Sequence, residues 1–191
     1  MTGSSTKQAG APGVRSGTQL SSQGGTTMTD ETISATTIIN APAEAIFAVL
    51  ADPAKHAAID GTGWVRETLD AKPLTAAGQI FRMTMYHPGH PSGTYQMANR
   101  VQVFDPPKSI SWEPGNEDGD GNLSFPGWVW RYDLTAAGPS TTTVTLTYDW
   151  SAVPDPIREH IGFPPFPPEH LGNSLAHLAE QVAEMTADVR D

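Results

Sequence analysis

The segment INAPAEAIFAVLADPAKHAAIDGTG, Ile39 to Gly63, marks the first change of structure along the chain. Ile39 closes a β-branched run that begins at Ile33, and such mixtures of Ile, Ser and Thr suit a strand. Asn40-Ala41-Pro42 stops the strand, because proline has no N–H to give a ladder. The same proline suits the first turn of a helix, with Asn40 or Ala41 in the cap region. Ala45, Ile46, Val49 and Leu50 then recur at helical spacing. Asp52-Pro53 breaks this helix, a second short one runs through Ile59, and Gly61 and Gly63 end it.

Downstream, the pattern is almost all strand. Trp64 to Leu69, Gln79 to Tyr86, Thr94 to Phe104, Ser109 to Glu113, Gly127 to Leu134 and Thr141 to Ser151 are alternating or β-branched runs, separated by Gly, Pro, Asn and Asp punctuation. Connections this short demand antiparallel neighbours, since parallel pairing needs crossovers of about a dozen residues or more. The Pro-rich stretch VPDPIREHIGFPPFPP, from Val153 to Pro168, reads as neither ladder nor helix interior and is expected to form a stiff lid, with Phe163 and Phe166 pointing inward. From Glu169 to about Val189 only Gly172 interrupts a run free of Gly and Pro. Leu171, Leu175, Leu178, Val182 and Met185 follow at steps of 4, 3, 4 and 3, one apolar helix stripe that should lie across the sheet. His170 and His177 flank that stripe and read as half-exposed.

Upstream, residues 1–30 contain six Gly, five Ser and six Thr and no aromatic residue. They are expected to form a disordered extension, with Met28 a candidate translation start and residues 31–191 the folded domain.

Strand alternation names an inner face. It carries Phe81, Met83, Met85 and His87; then Tyr95, Met97, Asn99, Val101 and Val103; then Ile110 and Trp112; then Trp128, Trp130, Tyr132 and Leu134; then Val144, Leu146, Tyr148 and Trp150. The opposite parity, including Arg82, Arg100, Gln102, Arg131, Asp133, Thr145 and Thr147, faces solvent. A curved sheet carrying four of the chain's five Trp on one face, closed by a single helix, is expected to leave a pocket with apolar walls and polar tips. The competing reading is that these rings simply pack against the helix as core.

The chain of 191 residues carries 11 Lys+Arg against 21 Asp+Glu, a net charge of −10. Neither nucleic acid nor an anionic membrane surface is an expected partner. With no cysteine there is no disulfide framework, thiolate metal site or cysteine nucleophile. No apolar run is long enough for a membrane span, and the N-terminus lacks a signal peptide's apolar core, so the expected location is cytoplasmic.

The order of strand, two short helices, six strands and long C-terminal helix resembles the START-like helix-grip superfamily, also called SRPBCC. The likeness is carried by Ile39 to Gly63, by DPPKSISWE at Asp105 to Glu113 and by the C-terminal helix, and DPAKHAAIDGTG is most similar to its polyketide cyclase/dehydrase-like branch. It implies an α+β helix-grip fold, a seven-stranded curved antiparallel sheet around the C-terminal helix with two short helices after the first strand. It says little of function, because members share architecture while ligands and activities differ.

His87 and His90, with His56 or Asp60, have no fixed third ligand, so no metal and no cofactor is expected. Asn116 to Asn122 lacks the Gly and Glu a calcium loop needs and reads as a hairpin turn. There is no dinucleotide fingerprint, P-loop or nucleophile elbow. His56, Arg66, His87, Tyr95, Asn99, Tyr132 and Tyr148 are positioned for acid–base work, without spacing that singles out an acid and a base.

The expected function is binding of a small hydrophobic or amphipathic molecule between sheet and C-terminal helix, with the oligomeric state left open. The candidate ligand-binding residues are Phe81, Met83, Met85, His87, Tyr95, Met97, Asn99, Trp112, Trp128, Trp130, Tyr132, Tyr148, Phe166, Leu171, Leu175 and Leu178. The alternatives are polyketide aromatase/cyclase or dehydratase chemistry in the same pocket, and a co-chaperone-type interaction module with a packed interior.

Overall fold

The computed structural model describes residue 1 and residues 25–188. The elements are β1 (Thr26–Met28), β2 (Thr32–Ile39), α1 (Ala43–Leu50), a 3-10 turn (Pro53–Lys55), α2 (His56–Ile59), β3 (Val65–Thr68), β4 (Ile80–Tyr86), β5 (Thr94–Asp105), β6 (Ser109–Glu117), β7 (Leu123–Ser124), β8 (Val129–Gly138), β9 (Thr141–Asp149), α3 (Asp155–Ile161) and α4 (Glu169–Asp188). All pairings are antiparallel, in the spatial order β1-β2-β9-β8-β6-β5-β4-β3, with β7 paired only to β6. β2 therefore closes against the last strand, far from the neighbours it has in sequence.

Each short helix starts where its sequence provides a start. Pro42 caps α1, and the Asp52 carboxylate accepts the Ala54 N–H to open the 3-10 turn. Leu171, Leu175, Leu178 and Val182 on α4 are all at most 2% exposed, and each such burial stabilises the fold by about 1.5–3 kcal/mol. They pack into one core with Ile46, Val49 and Leu50 of α1 and with Ile33, Val144 and Leu146 of the sheet. The outer face is held by polar cross-strand pairs: Ser34 with Thr147, Thr36 with Thr145, and Glu113 accepting from both Arg100 and Gln102.

Four expectations need correction. Among the described residues the sheet has nine strands where seven were expected, because Thr26–Met28 and Leu123–Ser124 each add a short one. The first of these lies inside the stretch assigned to the disordered extension and pairs with Ile33–Ala35, so ordered structure begins before residue 31; residues 2–24 of that stretch lie outside the described residues. The Pro-rich stretch contains a helix, α3, because Pro154 and Pro156 stand at its N-terminus, where a missing N–H costs nothing. Finally, a β-bulge between Val101 and Val103 reverses the parity of β5, so Phe104 and not Val103 turns inward, meeting Phe47 edge-on at 5.3 Å.

Candidate functional site

The concave side of the sheet, α2, α4 and the α3–α4 loop border a cavity of about 310 Å³ that opens to one side. Two ring clusters form its walls. Trp112 stacks on His56 at 4.9 Å and on Tyr132 at 5.7 Å, with Phe81 edge-on to both His56 and Trp112. Trp130 meets Tyr148 at 4.4 Å, Phe166 at 5.3 Å and His170 at 5.4 Å. Met83, Met85 and Met97, adjacent across the β4–β5 pair, add thioether surface. Half-exposed Tyr95 and His87 and exposed Ile161 and Pro165 form the outer rim.

The polar groups are few and specifically held. His56 is buried, with Nε2 at 2.9 Å from the Leu50 carbonyl, and burial holds its pKa below the ordinary histidine value. His170 is buried as well and its pKa is likewise lowered by desolvation, partly opposed by the nearby Asp60 carboxylate. Its Nδ1 is buried against Gly61 and makes no hydrogen bond among the described residues. Burial pushes the hydroxyls of Tyr132 and Tyr148 well above the usual tyrosine range, so both remain protonated donors at neutral pH. Neither hydroxyl has a protein partner among the described residues, although both tyrosines are at most 4% exposed and line the cavity.

The turn between α2 and β3 fixes one end of the site. Asp60 accepts from the Thr62 N–H and hydroxyl and from the Val65 N–H, an Asx-type turn. Ser174 Oγ accepts the Gly61 N–H at 3.0 Å, and His177 Nδ1 lies 3.2 Å from the Asp60 carbonyl. Positions 170, 174 and 177 of α4 thus grip the turn, and the close approach demands glycine: a Cβ on Gly61 would lie 2.4 Å from the His170 carbonyl oxygen.

Of the candidate residues, Phe81, Met83, Met85, His87, Tyr95, Met97, Asn99, Trp112, Trp128, Trp130, Tyr132, Tyr148 and Phe166 border this cavity. Leu171, Leu175 and Leu178 do not. They point into the core beneath α4, and the helix offers the cavity His170 and Ser174 from the adjacent face. His170, expected to be half-exposed on the helix flank, is only 7% exposed because Phe166 and Trp130 cover it. Sequence reasoning also left Asp60, Ile59, Trp64, Ile161 and Phe163 out of the ligand-binding set; the D-G-T-G turn was the available signal for Asp60. Arg66, considered for acid–base work, lies over the Tyr86 ring and does not border the cavity. Among the described residues no group of three or more His, Asp or Glu could hold a metal ion, and His87 and His90 instead pack against Trp64 and Tyr95. No described helix is long and apolar enough to cross a membrane.

The family model for polyketide cyclase/dehydrase and lipid transport proteins matches residues 30–182. The chain belongs to this family. Two proteins of Mycobacterium tuberculosis, both uncharacterised, are 29% and 28% identical to it over 151 residues, 76% of this chain. The chain spans 61% of the length of these relatives. Among solved structures, a protein from Arthrobacter aurescens superposes with a TM-score of 0.61 at 12% identity, covering 84% of this chain and 91% of that one. The protein Ms6760 from Mycobacterium smegmatis does so with a TM-score of 0.55 at 18% identity, covering 86% and 99%. At such identities the likeness establishes the helix-grip fold of this family member and nothing about its ligand.

Proposed function

We propose that the family member binds a small hydrophobic or amphipathic molecule in the cavity between the sheet and the C-terminal helix. The observation that carries this reading is a volume of about 310 Å³, the lower end of ligand-pocket size, walled by four Trp, three Met on two adjacent strands, and tyrosine hydroxyls without a partner among the described residues. A core built only for stability would be filled to near crystal density, since voids forfeit dispersion contacts. Hydroxyls that donate to nothing among the described residues are the polar tips an amphipathic ligand would meet. An interaction module acting from its outer surface has no use for such a hollow.

The test is titration of the purified chain with panels of polycyclic aromatic, fatty-acyl and sterol-like compounds. Intrinsic Trp fluorescence should respond, because Trp112, Trp128 and Trp130 all border the cavity. A ligand at one hundred times its Kd should also stabilise the fold by about 2.7 kcal/mol. If no compound alters emission or melting temperature, the binding reading fails.

A further inference from the structure

His56 has its hydrogen-bonding role assigned by its surroundings. Its Nε2 faces the Leu50 carbonyl at 2.9 Å, and a carbonyl can only accept, so Nε2 carries the ring hydrogen. A neutral imidazole has one such hydrogen, which leaves Nδ1 as a lone-pair acceptor. No protein donor reaches Nδ1 among the described residues, and the residue borders the cavity. The ring cannot easily turn away: Trp112 covers it at 4.9 Å and Phe81 abuts it at 5.4 Å. An acceptor open to the cavity and without a protein donor is one that a ligand can satisfy.

The rest of the lining narrows what that ligand is. Among the described residues it contains no Lys or Arg, and its one carboxylate is Asp60. An anionic headgroup would be stripped of water without a countercharge and placed in a site that already holds a negative group. An uncharged flat molecule with a hydroxyl or amide N–H meets no such penalty and can stack against the indoles.

Resting on the binding function proposed above, we infer that His56 is the specificity-determining acceptor of the cavity, and that it selects uncharged, flat ligands bearing an O–H or N–H donor over carboxylates such as fatty acids. Asn99 and the Tyr132 and Tyr148 hydroxyls are left to serve acceptors elsewhere on the ligand.

The experiment uses three probes of one shape, 2-naphthol, 2-methoxynaphthalene and 2-naphthoate, titrated calorimetrically into the full chain and into His56→Phe at pH 7.5. The wild type should bind the naphthol about tenfold more tightly than its methyl ether, the net worth of one hydrogen bond, and the naphthoate most weakly. In His56→Phe the naphthol-to-ether ratio should fall to about one. A ratio that survives the substitution, or naphthoate binding as well as naphthol, overturns the inference and leaves the cavity function standing. If none of the three probes binds, and no other compound does, both readings fall. Should His56→Phe not fold, the nitrogen spectrum of the wild type decides: the His56 Nδ1 resonance must move with naphthol and stay still with the ether, and the opposite result refutes the assignment.

Discussion

Replacing Gly61 by alanine tests the close approach of the α2–β3 turn to α4. The added Cβ would lie 2.4 Å from the His170 carbonyl oxygen, 2.8 Å from the Ser174 amide nitrogen and 2.9 Å from His170 Nδ1. A carbon meets an oxygen comfortably at about 3.3–3.6 Å, so the turn and α4 must separate by roughly 1 Å. Two of the three obstructing atoms are helix backbone and cannot rotate aside. The separation would break the Gly61 N–H to Ser174 Oγ bond and lift a helix whose Leu171, Leu175 and Leu178 are at most 2% exposed. Overpacking costs about 1–3 kcal/mol, and the lost hydrogen bond about 1 kcal/mol more. The expected loss is therefore about 2–4 kcal/mol, or a fall of roughly 4–16 °C in melting temperature for a domain of this size. Urea unfolding followed by Trp fluorescence and circular dichroism measures it. Gly172→Ala is the internal control: the Cβ there meets nothing within 4 Å on the exposed side of the same helix, so it should stabilise by about 0.5–1 kcal/mol. If Gly61→Ala falls within about 0.5 kcal/mol of the wild type, the turn is not gripped as described.

Other outcomes follow from the same structure. The lowered pKa values of His56 and His170 mean that the unfolded chain binds more protons below the ordinary histidine value of about 6.5. Stability should be flat above that pH and fall as pH drops below it, by up to about 1.4 kcal/mol per pH unit for each histidine. Urea unfolding between pH 7.5 and 5 checks this, and His56→Phe should remove its share of the slope. The carboxylate of Asp133, held low by Arg131 and Ser109, acts in the opposite range, where its contribution is present at neutral pH and is lost only in stronger acid. Leu178→Ala, at 0% exposure beneath α4, should cost about 2–5 kcal/mol by calorimetry. Because Leu178 belongs to the core and does not border the cavity, the substitution should alter ligand affinity far less than stability.

The inward set on β4, Phe81, Met83 and Met85, follows from alternation alone, since each strand places residues two apart on one side. The α4 stripe is equally local, because 3.6-residue periodicity orders side chains on a helix whatever it meets. Val103 escaped because a bulge inserts one residue without leaving a sequence mark, and every position beyond it changes face. The strand Thr26–Met28 escaped because its Gly- and Thr-rich surroundings show no apolar pattern; its order comes from the ladder β2 offers it.

The sequence by itself determined the order of the main elements, the antiparallel neighbours, the ring-rich inner face and the amphipathic closing helix, all properties of spacing within one segment. Only the tertiary structure decided that the α4 leucines fill the core while His170 and Ser174 face the hollow, and that His56 turns its Nε2 to Leu50 and leaves Nδ1 without a donor among the described residues. The reason is physical. A cavity is the difference between the volume that a bent sheet and a helix enclose and the volume their side chains fill, and that difference depends on curvature and on distances between segments far apart in the chain.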